Sequence, residues 1–563
     1  MRNIVVVEAI STGVNFITDI VHRGYHPVAL ELKTEEESHI TDGRKGIYSR
    51  TRDQFDVIKE QASYEETLAL VKSYDPLLVL AGSEDGVVMA TRLADDLGLP
   101  GNPAENLDQM TKKNAMHEAL KKAGIRYIKG EVVNSPQEAL DFCTKNKLTC
   151  AVVKPLQSAG SNGLFLCDNL EEVKNAVNEL FKLKDYLGRP IQSALVQERI
   201  RGTEYIVNTM SSAGSHRLSS VLRYRKVKTT EGGYIYDNIE VIYRFEPGHT
   251  ALIEYAFQVA DAIGIQYGCI HGEYMIDEKG PVLIEVNCRP MGASQPAAFM
   301  DLTYGQHETD SILDCFLAPG KFAAQAAKPY RPLRQAYMKL IKVPAHMEAE
   351  TLPIWTIAQN LRSTYMIDIA DPMSIHDFAK TRDLISSGGL IYMVHDDKTI
   401  VDQDLQLLTK IEDQYFSYIF NDGMSRRWFA DPKTPRIQVD YRKLVSGEGS
   451  TLIAAPSDSR IDPEIEGALI VSPDQISQVT DGFDQVIIAL GQWLTGVNEV
   501  ECLETIFRLM KKVKIGGKVI FPEETCKYLT YQREGAELLL QVLGYTIEAP
   551  LPGQDKAVIG SRY

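Results

Sequence analysis

The chain has 563 residues, of which 44% are hydrophobic and 24% charged, and its formal net charge is −16. This length exceeds what one hydrophobic core organises, so we expect about three to five domains. The acidic balance argues against a broad nucleic-acid-binding surface, which would carry excess positive charge, but it permits a local basic pocket for a small anion.

The cysteines and the first residues indicate a cytoplasmic protein. The eight cysteines include no Cys-x-x-Cys pair, a pattern that favours reduced thiols over a disulfide framework or a zinc site. Glu8 places a carboxylate where a signal peptide needs an unbroken apolar core. No apolar stretch approaches the roughly 20 residues of a membrane-spanning helix, so we expect no membrane partner.

The N-terminal segment alternates apolar strands with helical patterns. An apolar run at 4–7 is followed by a helical pattern that ends at Gly24, and a strand at 77–80 is followed by a helix at 87–97. This alternation predicts a small parallel α/β domain over 1–105. The glycine fingerprint of a dinucleotide-binding fold is absent after the first strand, so a nicotinamide or flavin role has little support.

A helix over 110–123, which we expect to end at Gly124, introduces the second region. It opens with Lys112 and Lys113, although positive side chains at a helix start oppose the helix dipole. Lysines at such a place are normally surface residues, so the conflict is only a mild indication of function. The antiparallel strands predicted after it lie at 151–154, 164–167, 194–200, 204–210, 218–227, 239–244, 270–276 and 281–286.

A lysine and a small-residue loop follow one another in the second region. The strand that ends in Lys154 leads into a loop of Ser, Ala, Gly and Asn at 158–163. Backbone N–H groups of such a loop can fold over phosphates. The Gly-Lys-Ser/Thr order of a Walker loop is absent, and a solvated strand end is the structural alternative.

The segment 197–204 interrupts an apolar strand with polar residues and resumes as a strand after Gly202. Backbone groups exposed there can pair with the edge of an adenine base, and a nearby carboxylate can accept hydrogen bonds from ribose hydroxyls. A simple β-bulge or loop is the alternative, and the segment by itself does not decide between them.

The most informative segment is a predicted hairpin over 271–290. Glu285 and Asn287 share one face of its second strand, because side chains alternate with period two. Carboxylate and amide oxygens are hard ligands that suit Mg²⁺. Arg289 follows on the chain and places a guanidinium beside this site, where it suits a phosphate or acyl-phosphate oxygen. An amphipathic hairpin with solvated polar residues is the alternative.

The length of the hairpin loop decides whether a second carboxylate joins this face. A three-residue loop at 278–280 would pair Asp277 with Pro281 and bring Glu273 opposite Glu285. A loop of two or four residues would place Glu273 on the other face. We therefore predict a shared site for Glu273, Glu285 and Asn287, and its geometry depends on the length of this loop.

The remaining chain divides at a polar, proline-containing linker at 431–435. Before the linker, a mixed segment over 331–430 ends in a helix predicted at 404–420. After the linker, another α/β pattern extends over 436–563.

Taken together and in this order, these segments resemble the ATP-grasp superfamily over about 1–330. The entry to the nucleotide domain at 99–103, followed by Lys113, Met116 and Ala123-Gly124-Ile125, is similar to that family as well. The resemblance implies an α/β and α+β multidomain protein in which an ATP-grasp domain (106–330) follows the small α/β domain. A closing α/β subdomain (331–430) and an extra Rossmann-like α/β domain (436–563) complete it.

The resemblance also implies roles for individual residues in binding ATP and two Mg²⁺ ions, with Mn²⁺ as an alternative metal. The residues expected to contact ATP are Lys113, Lys154, Ser158, Ala159, Gly160, Ser161, Gln197, Glu198, Ile200 and Glu204. Within this set the lysines and the loop 158–163 hold phosphates, 197–200 reads adenine and Glu204 the ribose. Glu273, Glu285 and Asn287 are the expected metal ligands, and Arg289 is the expected catalytic arginine.

Within the superfamily, the motif is most similar to the L-amino-acid ligases, which are carboxylate–amine ligases. Biotin carboxylases continue their metal motif with Gln-Val-Glu-His, where this chain reads Met-Gly-Ala-Ser-Gln at 291–295, and the Asn-x-x-Pro-Gly of D-alanine–D-alanine ligases is also absent. The segment 386–420 resembles the closing domain of the amino-acid ligases. The resemblance implies ADP-forming amide-bond synthesis from small-molecule carboxylate and amine substrates. Candidate substrate contacts are His271, Gly292, Arg223 and Arg225, although the two arginines also fit a solvated strand.

The C-terminal segment resembles the second half of an S-adenosylmethionine methyltransferase. It shows an apolar strand at 483–490, a glycine pair at 516–517 and a late Gly544-Tyr545. The glycine-rich cofactor loop is absent, and 452–458 contains a proline and no glycine, which would deny the close backbone approach of such a loop. We therefore expect a degenerate, non-catalytic domain for packing or oligomerisation.

Alternatives to the amide-forming ligase are an ATP-grasp carboxylase or purine-pathway ligase, a nucleotide-binding protein with a fused active methyltransferase, and a regulatory protein with a dead site. The last is disfavoured because every mapped position holds a competent residue. A homodimer is left open.

Overall fold

The computed structural model describes a large part of the chain. The described residues are 2–33, 54–156, 163–183, 190–228, 234–343, 352, 354–370, 381, 386–412, 439–445, 449–457, 459, 461, 465–495, 499–529, 532–542, 545–549 and 557–562. The chain divides into two compact units, with the boundary between Met338 and Lys339. The finer division into four domains at 105, 330 and 430 stays a prediction.

The first sheet of the first unit is parallel, as the alternating pattern predicts. Its order is β3-β2-β1-β4, and all three pairings are parallel. The strands are β1 (Asn3–Val7), β2 (His26–Glu31), β3 (Asp56–Lys59) and β4 (Pro76–Ala81), and the helices are α1 (Asn15–His22), α2 (Tyr64–Ser73) and α3 (Val87–Asp96). After β1 the chain adds β2 and β3 on one side of β1 and then β4 on the other side. The strand order therefore reverses between β1 and β4, and their carboxyl ends form a topological switch point.

A second, antiparallel sheet carries Lys154, one of the predicted phosphate-binding residues. Its order is β5-β8-β6-β7, with β5 (Gly130–Val133), β6 (Ala151–Pro155), β7 (Phe165–Cys167) and β8 (Ala194–Glu198). The helices here are α4 (Leu107–Thr111), α5 (Lys113–Lys122), α6 (Pro136–Lys145) and α7 (Leu170–Leu180). Apolar side chains of α6 and α7 bury one face of the sheet.

The prediction of one helix over 110–123 is wrong in one respect. Lys112 adopts an extended conformation (φ −107°, ψ 118°) and separates α4 from α5. Lys113 thereby becomes the first residue of a new helix and is buried. The mild conflict between a lysine and the helix dipole is therefore real in the structure.

The third sheet of the first unit supplies the hairpin. Its strands run β13-β12-β9-β10-β11 and pair antiparallel. They are β9 (Thr203–Ser212), β10 (Ser215–Lys228), β11 (Tyr234–Val241), β12 (Gly268–Asp277) and β13 (Gly280–Asn287), with the helices α8 (Pro247–Ile263), α9 (Ala297–Tyr304), α10 (Glu308–Leu317) and α11 (Pro319–Ala326). The apolar side of α8 packs on one face of this sheet, and β14 (Gln335–Leu340) follows and crosses the unit boundary.

The second unit begins with a small antiparallel pair and ends with a six-stranded sheet. The pair is β15 (Thr364–Ile369) and β16 (Gly389–His395), accompanied by α12 (Ile354–Ala358) and α13 (Lys398–Ile411). The helix predicted at 404–420 begins earlier, at Lys398. Its end beyond 412 lies outside the described residues.

The six-stranded sheet has the order β18-β17-β19-β20-β22-β21. Its strands are β17 (Thr451–Ala454), β18 (Ala468–Val471), β19 (Phe483–Ile488), β20 (Val513–Phe521), β21 (Thr546–Glu548) and β22 (Val558–Ser561), with α14 (Glu499–Lys511), α15 (Glu523–Tyr528) and α16 (Gln532–Val542). The first four strands in this order are parallel, whereas β22 is antiparallel to both of its neighbours. The predicted α/β character of this segment is confirmed.

None of the helices within the described ranges combines the length and the apolarity that crossing a lipid bilayer demands. All eight cysteines lie in described residues, and each is a free thiol.

Candidate functional site

The hairpin β12–β13 brings the two predicted carboxylates face to face, but by a different route from the predicted one. Asp277 pairs with Gly280, so the loop has two residues, not the three on which the facing of Glu273 and Glu285 was expected to depend. A register shift follows, because Tyr274 pairs with Leu283 while Glu273 pairs with Glu285. Ile284 is the extra residue of this β-bulge. The bulge restores the facing that the short turn alone would have lost.

Lys113 joins the carboxylate pair from the start of α5. Its Nζ lies 2.8 Å from Glu285 Oε2, and the Glu285 side chain is only 19% exposed. Asn287 also donates a side-chain hydrogen bond to Glu285. Burial raises the pKa of Glu285, but the charges of Lys113 and Lys154 outweigh this and hold the pKa below its usual value. Glu285 is therefore an anion held by cations.

The pKa of Glu273 is shifted in the opposite direction from that of Glu285, although the two residues face each other across the hairpin. Burial raises the pKa of Glu273, and the neighbouring negative charges of Glu285 and Glu204 raise it further. Its Oε1 accepts a hydrogen bond from the hydroxyl of Tyr224 at 3.3 Å. The environments of the two carboxylates thus shift their pKa values in opposite directions.

Lys154 reaches the same cluster from β6. Its side chain is buried, with 5% of the residue exposed. Burial lowers the pKa of Lys154 to about 8, and the largest charge effects on it come from Glu285 and Lys113. Among the residues that the structure describes, no carboxylate forms an ion pair with it. A buried lysine of this kind is a ready partner for an anionic ligand.

Two residues of the cluster were missed by the sequence analysis. Lys226 Nζ lies 2.7 Å from Glu204 Oε2, and Tyr224 binds Glu273. Glu204, which the resemblance assigns to the ribose, is thus ion-paired with Lys226. The period-two alternation of β10 could have identified Tyr224 and Lys226 as neighbours on one face.

Because side chains alternate along β10, Arg223 and Arg225 lie on the opposite face of the sheet from Tyr224 and Lys226. Arg223 Nη2 lies 2.5 Å and Arg225 Nη2 3.4 Å from Glu240 Oε2. Arg223 pairs across the sheet with Tyr205, whose ring belongs to the core under α8. The structure therefore does not bring Arg223 or Arg225 to the carboxylates, and it favours the solvated-strand alternative for Arg225, whose side chain is 53% exposed.

The predicted adenine segment lies at the end of β8. Gln197 is buried, and its Nε2 has no hydrogen-bond partner within the described part of the chain. A Cβ atom on the facing Gly130 would approach the side chain of Gln197 to 2.8 Å, so only glycine leaves room for this glutamine. Glu198 Oε1 accepts from the backbone N–H of Lys129 at 3.2 Å, and Ile200 is half-buried.

The phosphate-covering loop can be placed only at its end. Gly163 has a left-handed φ of 74°, which favours glycine. Ser158, Ala159, Gly160 and Ser161 lie outside the described residues, so their assignment to ATP stays a prediction.

Arg289 leaves the hairpin next to the carboxyl edge of the first sheet. Its Nη2 lies 3.2 Å from Glu84 Oε2, and its Nη1 donates to the carbonyl of Pro290 at 3.0 Å. Glu84 follows β4, so the arginine is held at the topological switch point where ligands of α/β sheets bind. Gly292 lies in the same loop, and its carbonyl accepts a hydrogen bond from Thr12 Oγ1 at 3.4 Å.

The loop after β1 is hydrogen-bonded to the loop that follows Arg289, and nothing in the sequence indicates this contact. Ser11 Oγ accepts from the backbone N–H of Ser294 at 3.1 Å, and Thr12 Oγ1 accepts from that of Gln295 at 2.8 Å. Ser11, Ala293 and Ser294 all have positive φ angles. Such angles cost energy in residues other than glycine and concentrate at functional sites.

His271 lies on the same face as Glu273, and its Nε2 is 3.8 Å from Glu273 Oε1. Burial and the nearby charge of Arg289 lower the pKa of His271 to about 3. Its Nδ1 lies 2.9 Å from Asn208 Oδ1. The predicted substrate contact is thus buried at the edge of the carboxylate site.

The donor set fits a hard divalent cation. No group of three His, Cys, Asp or Glu side chains in the described ranges is arranged to hold a metal. The predicted set is of a different kind, with two carboxylates and one amide on a single sheet face. Burial and the neighbouring carboxylates Glu285 and Glu204 raise the pKa of Glu273 there. Oxygen ligands of this type suit Mg²⁺ that also binds phosphate.

The segment that contains this site is similar to known proteins. The model of the ATP-grasp domain matches residues 148–296. Dapdiamide A synthase of Enterobacter agglomerans is 26% identical over 418 residues, which are 73% of this chain and 96% of that protein. D-alanine–D-alanine ligase of Halalkalibacterium halodurans is 27% identical over 231 residues, or 39% of this chain and 72% of that protein.

Solved structures share the fold at low identity. The L-amino acid ligase from Bacillus licheniformis is 15% identical with a TM-score of 0.53, covering 73% of this chain and 97% of that one. An N5-carboxyaminoimidazole synthase from Aspergillus clavatus is 13% identical with a TM-score of 0.53, covering 73% and 99%. These likenesses show the architecture, whereas the family model matches the segment that contains Lys154, Glu273 and Glu285. The chain therefore carries an ATP-grasp domain.

Proposed function

We propose that this protein is an ATP-dependent carboxylate–amine ligase that forms an amide bond and releases ADP and phosphate. The observation that carries the proposal is the cluster of Lys113, Lys154, Glu273 and Glu285 within and beside the ATP-grasp domain. The similarity to dapdiamide A synthase and to the L-amino acid ligase supports an amino acid as the carboxylate substrate.

The proposed reaction has two displacements. An oxygen of the substrate carboxylate attacks the γ-phosphorus of ATP, the bond to the β-phosphate oxygen breaks, and ADP leaves. The nitrogen of the amine then attacks the acyl carbon of the acyl phosphate, phosphate leaves with the bonding electrons, and the nitrogen loses a proton. The protein supplies positioning and charge neutralisation, which dominate catalysis of phosphoryl transfer.

In this proposal the cations of the cluster bind the anions of the reaction. Lys113 and Lys154 hold phosphate oxygens, since both are buried and Lys154 lacks a carboxylate partner in the described ranges. Arg289, held at the switch point by Glu84, binds the phosphate that is transferred and later leaves.

Glu273, Glu285 and Asn287 are proposed to hold Mg²⁺, for which two ions are expected and Mn²⁺ is the alternative. A divalent ion there neutralises charge on the transferring phosphoryl group. Lys113, which pairs with Glu285, balances this carboxylate in the protein alone. Gln197, Glu198 and Ile200 are proposed to bind adenine, Glu204 the ribose, and the loop with Ser158 to Ser161 the phosphates.

The same proposal includes a cytoplasmic location, because free thiols suit a reducing compartment. It also keeps the C-terminal domain at 436–563 as a non-catalytic, methyltransferase-like module for packing or dimer formation. The strand order with β22 inserted antiparallel supports an open α/β sheet of this general kind.

A substrate screen tests the proposal. The purified protein is incubated with MgATP and a panel of amino acids paired with amines, and ADP, phosphate, AMP and pyrophosphate are quantified. We expect ADP and phosphate to appear only when a matching carboxylate and amine are both present, together with an amide product. Release of pyrophosphate would contradict the proposal, and ATP hydrolysis that depends on bicarbonate would identify a carboxylase instead.

A further inference from the structure

A buried hydrogen-bond chain connects His271 to a carboxylate that no step of the proposed reaction uses. Asn208 on β9 is 1% exposed and Glu308 at the start of α10 is 4% exposed. Asn208 Nδ2 donates to Glu308 Oε1 at 2.6 Å and to Ser220 Oγ at 2.9 Å. Asn208 Oδ1 lies 2.9 Å from His271 Nδ1.

The polarity of this chain follows from what each atom can do. Burial raises the pKa of Glu308 to about 7, although its hydrogen bonds with Met291 and Asn208 act in the opposite direction. Above that pH the carboxylate is ionised and only accepts hydrogen bonds, so it requires the Nδ2 group of Asn208 to face it. The Oδ1 atom of Asn208 is then turned to His271 and can only accept. His271 must therefore carry its hydrogen on Nδ1 and donate it to Asn208. In the neutral ring, Nε2 is left with a lone pair.

The second oxygen of Glu308 ties the same carboxylate to the loop of Arg289. Glu308 Oε2 accepts from the backbone N–H of Met291 at 2.6 Å. A backbone N–H can only donate, which independently confirms that this oxygen is an acceptor. One buried side chain thus holds both the Asn208 amide and the loop that begins at Arg289.

We propose that Glu308 is a positioning residue: through Asn208 it holds His271 in the Nδ1–H tautomer, so that Nε2 accepts a hydrogen bond from the nucleophilic amine. The site of action is the side of the ring that faces Glu273, where Nε2 lies 3.8 Å from Glu273 Oε1. The inference deepens the proposed ligase function and rests on it for the identity of the amine. The tautomer itself does not depend on any substrate.

The first test reads the tautomer in the wild-type protein. Long-range ¹H–¹⁵N correlation spectra of ¹⁵N-histidine-labelled protein distinguish a protonated Nδ1 from a protonated Nε2, and a His271→Gln sample assigns the signal. We expect Nδ1–H in the wild type above pH 7, where Glu308 is ionised. A hydrogen on Nε2 would overturn the proposal, whatever the outcome of the substrate screen.

The second test reverses the polarity of the chain while conserving its shape. In Glu308→Gln, one amide oxygen can still accept from Met291, but the amide nitrogen now faces Asn208 and requires its oxygen. Asn208 then presents Nδ2 to His271, and we expect the ring hydrogen to move to Nε2. We expect kcat for amide formation to fall on the order of 10–100-fold, as for residues that orient a functional group, with KM for ATP unchanged.

A compensating variant separates positioning from packing. When Asn208→Asp is combined with Glu308→Gln, the new amide nitrogen at position 308 has an acceptor and His271 is again offered an acceptor, so the Nδ1–H signal and most of the lost kcat should return. Asp310→Asn, on the same helix but bonded to Arg23, is the control and should change neither. An unaltered tautomer in Glu308→Gln, or no recovery in the double variant, would overturn the proposal. If Glu308→Gln does not fold, the double variant decides by its tautomer alone.

Discussion

The cluster of Lys113, Lys154, Glu273 and Glu285 and the carboxyl edge of the C-terminal parallel strands carry very different side chains. In the first unit, two lysines and two carboxylates meet in a largely buried cluster around Glu285. At the carboxyl ends of β17 and β19, Ala455 and Ala489 pack with the ring of Tyr441 in an apolar core. Buried charge is costly and persists where a ligand uses it, whereas apolar packing stabilises the domain itself. The contrast indicates that sheet topology alone does not identify a site.

The largest expected effect comes from removing the central charge of the cluster. Glu285→Gln should lower ADP release by roughly 10²–10³-fold or more, because a group that stabilises phosphoryl-transfer charge is lost. The measurement is ADP formation with a matched substrate pair, with circular dichroism as the check on folding.

Glu278→Gln is the matched control for Glu285→Gln, since it removes a carboxylate from the exposed turn of the same hairpin. It should keep wild-type activity. An active Glu285→Gln enzyme would contradict the assignment of this carboxylate.

Lys154→Met should separate ligand binding from stability. We expect KM for ATP to rise about 10–100-fold, which corresponds to the roughly 1.5–3 kcal/mol of a charge-assisted hydrogen bond. The free energy of unfolding without ATP should stay equal or rise, because the variant removes a buried charge that has no ion-pair partner in the described ranges.

Steady-state kinetics and thermal unfolding with and without ATP measure both effects. The control is Lys112→Met, which removes an exposed lysine 46% accessible to solvent. A Lys154→Met protein that loses stability but keeps its ATP affinity would make the lysine structural.

Tyr441→Ala tests whether the residues around Ala455 and Ala489 in the second unit form an apolar core that stabilises the domain. The ring is 8% exposed in the apolar cluster, so its removal should destabilise that unit by about 3 kcal/mol. Tyr441→Phe, which loses only the hydrogen bond to Glu524, should cost about 1 kcal/mol. Thermal unfolding monitors both variants, and amide formation by the first unit should be unaffected in Tyr441→Phe. Equal stability of Tyr441→Ala and wild type would show that the ring is not part of a required core.

A smaller effect is expected from a buried charge that serves structure rather than ligand binding. His307 lies 3.0 Å from Asp19 and 2.8 Å from Asp301, and although burial lowers its pKa, these carboxylates raise it to about 9. The folded-state pKa exceeds the unfolded value of about 6.5, so the stabilisation is present in full below that pH. It is lost as the pH rises through about 9.

Melting temperatures measured between about pH 6 and 10 should therefore fall more steeply for wild type than for His307→Gln. If the melting temperatures of the two proteins change with pH in parallel, His307 does not stabilise the contact between α1 and the α9–α10 region through its ion pairs.

The smallest expected signal is the absence of heat when S-adenosylmethionine is titrated into the protein in a calorimeter. The described residues Ala455 and Ala489 at the carboxyl edge are apolar, and 452–458 has no glycine. Tight binding would overturn the contrast between the two units and would make the second unit a candidate methyltransferase.

Local pattern was sufficient for much of the fold. Period-two alternation placed Glu285 and Asn287 on one face, and the strand–helix rhythm predicted the parallel sheet of the N-terminal region, both of which depend on neighbouring residues only. The motifs around Lys113, Lys154 and Glu273 were enough to indicate the ATP-grasp resemblance.

Tertiary structure decided which side chains share the site and how they are oriented. A count of loop residues could not predict that Glu273 faces Glu285 across a two-residue loop, because the β-bulge at Ile284 is a backbone irregularity that leaves no mark in the sequence pattern. The partners of Glu285, Glu204 and His271 lie far away along the chain, and only the packing of strands and helices brings Lys113, Lys226 and Asn208 to them. The sequence by itself determined the chemistry available to this protein, while the fold determined where that chemistry converges.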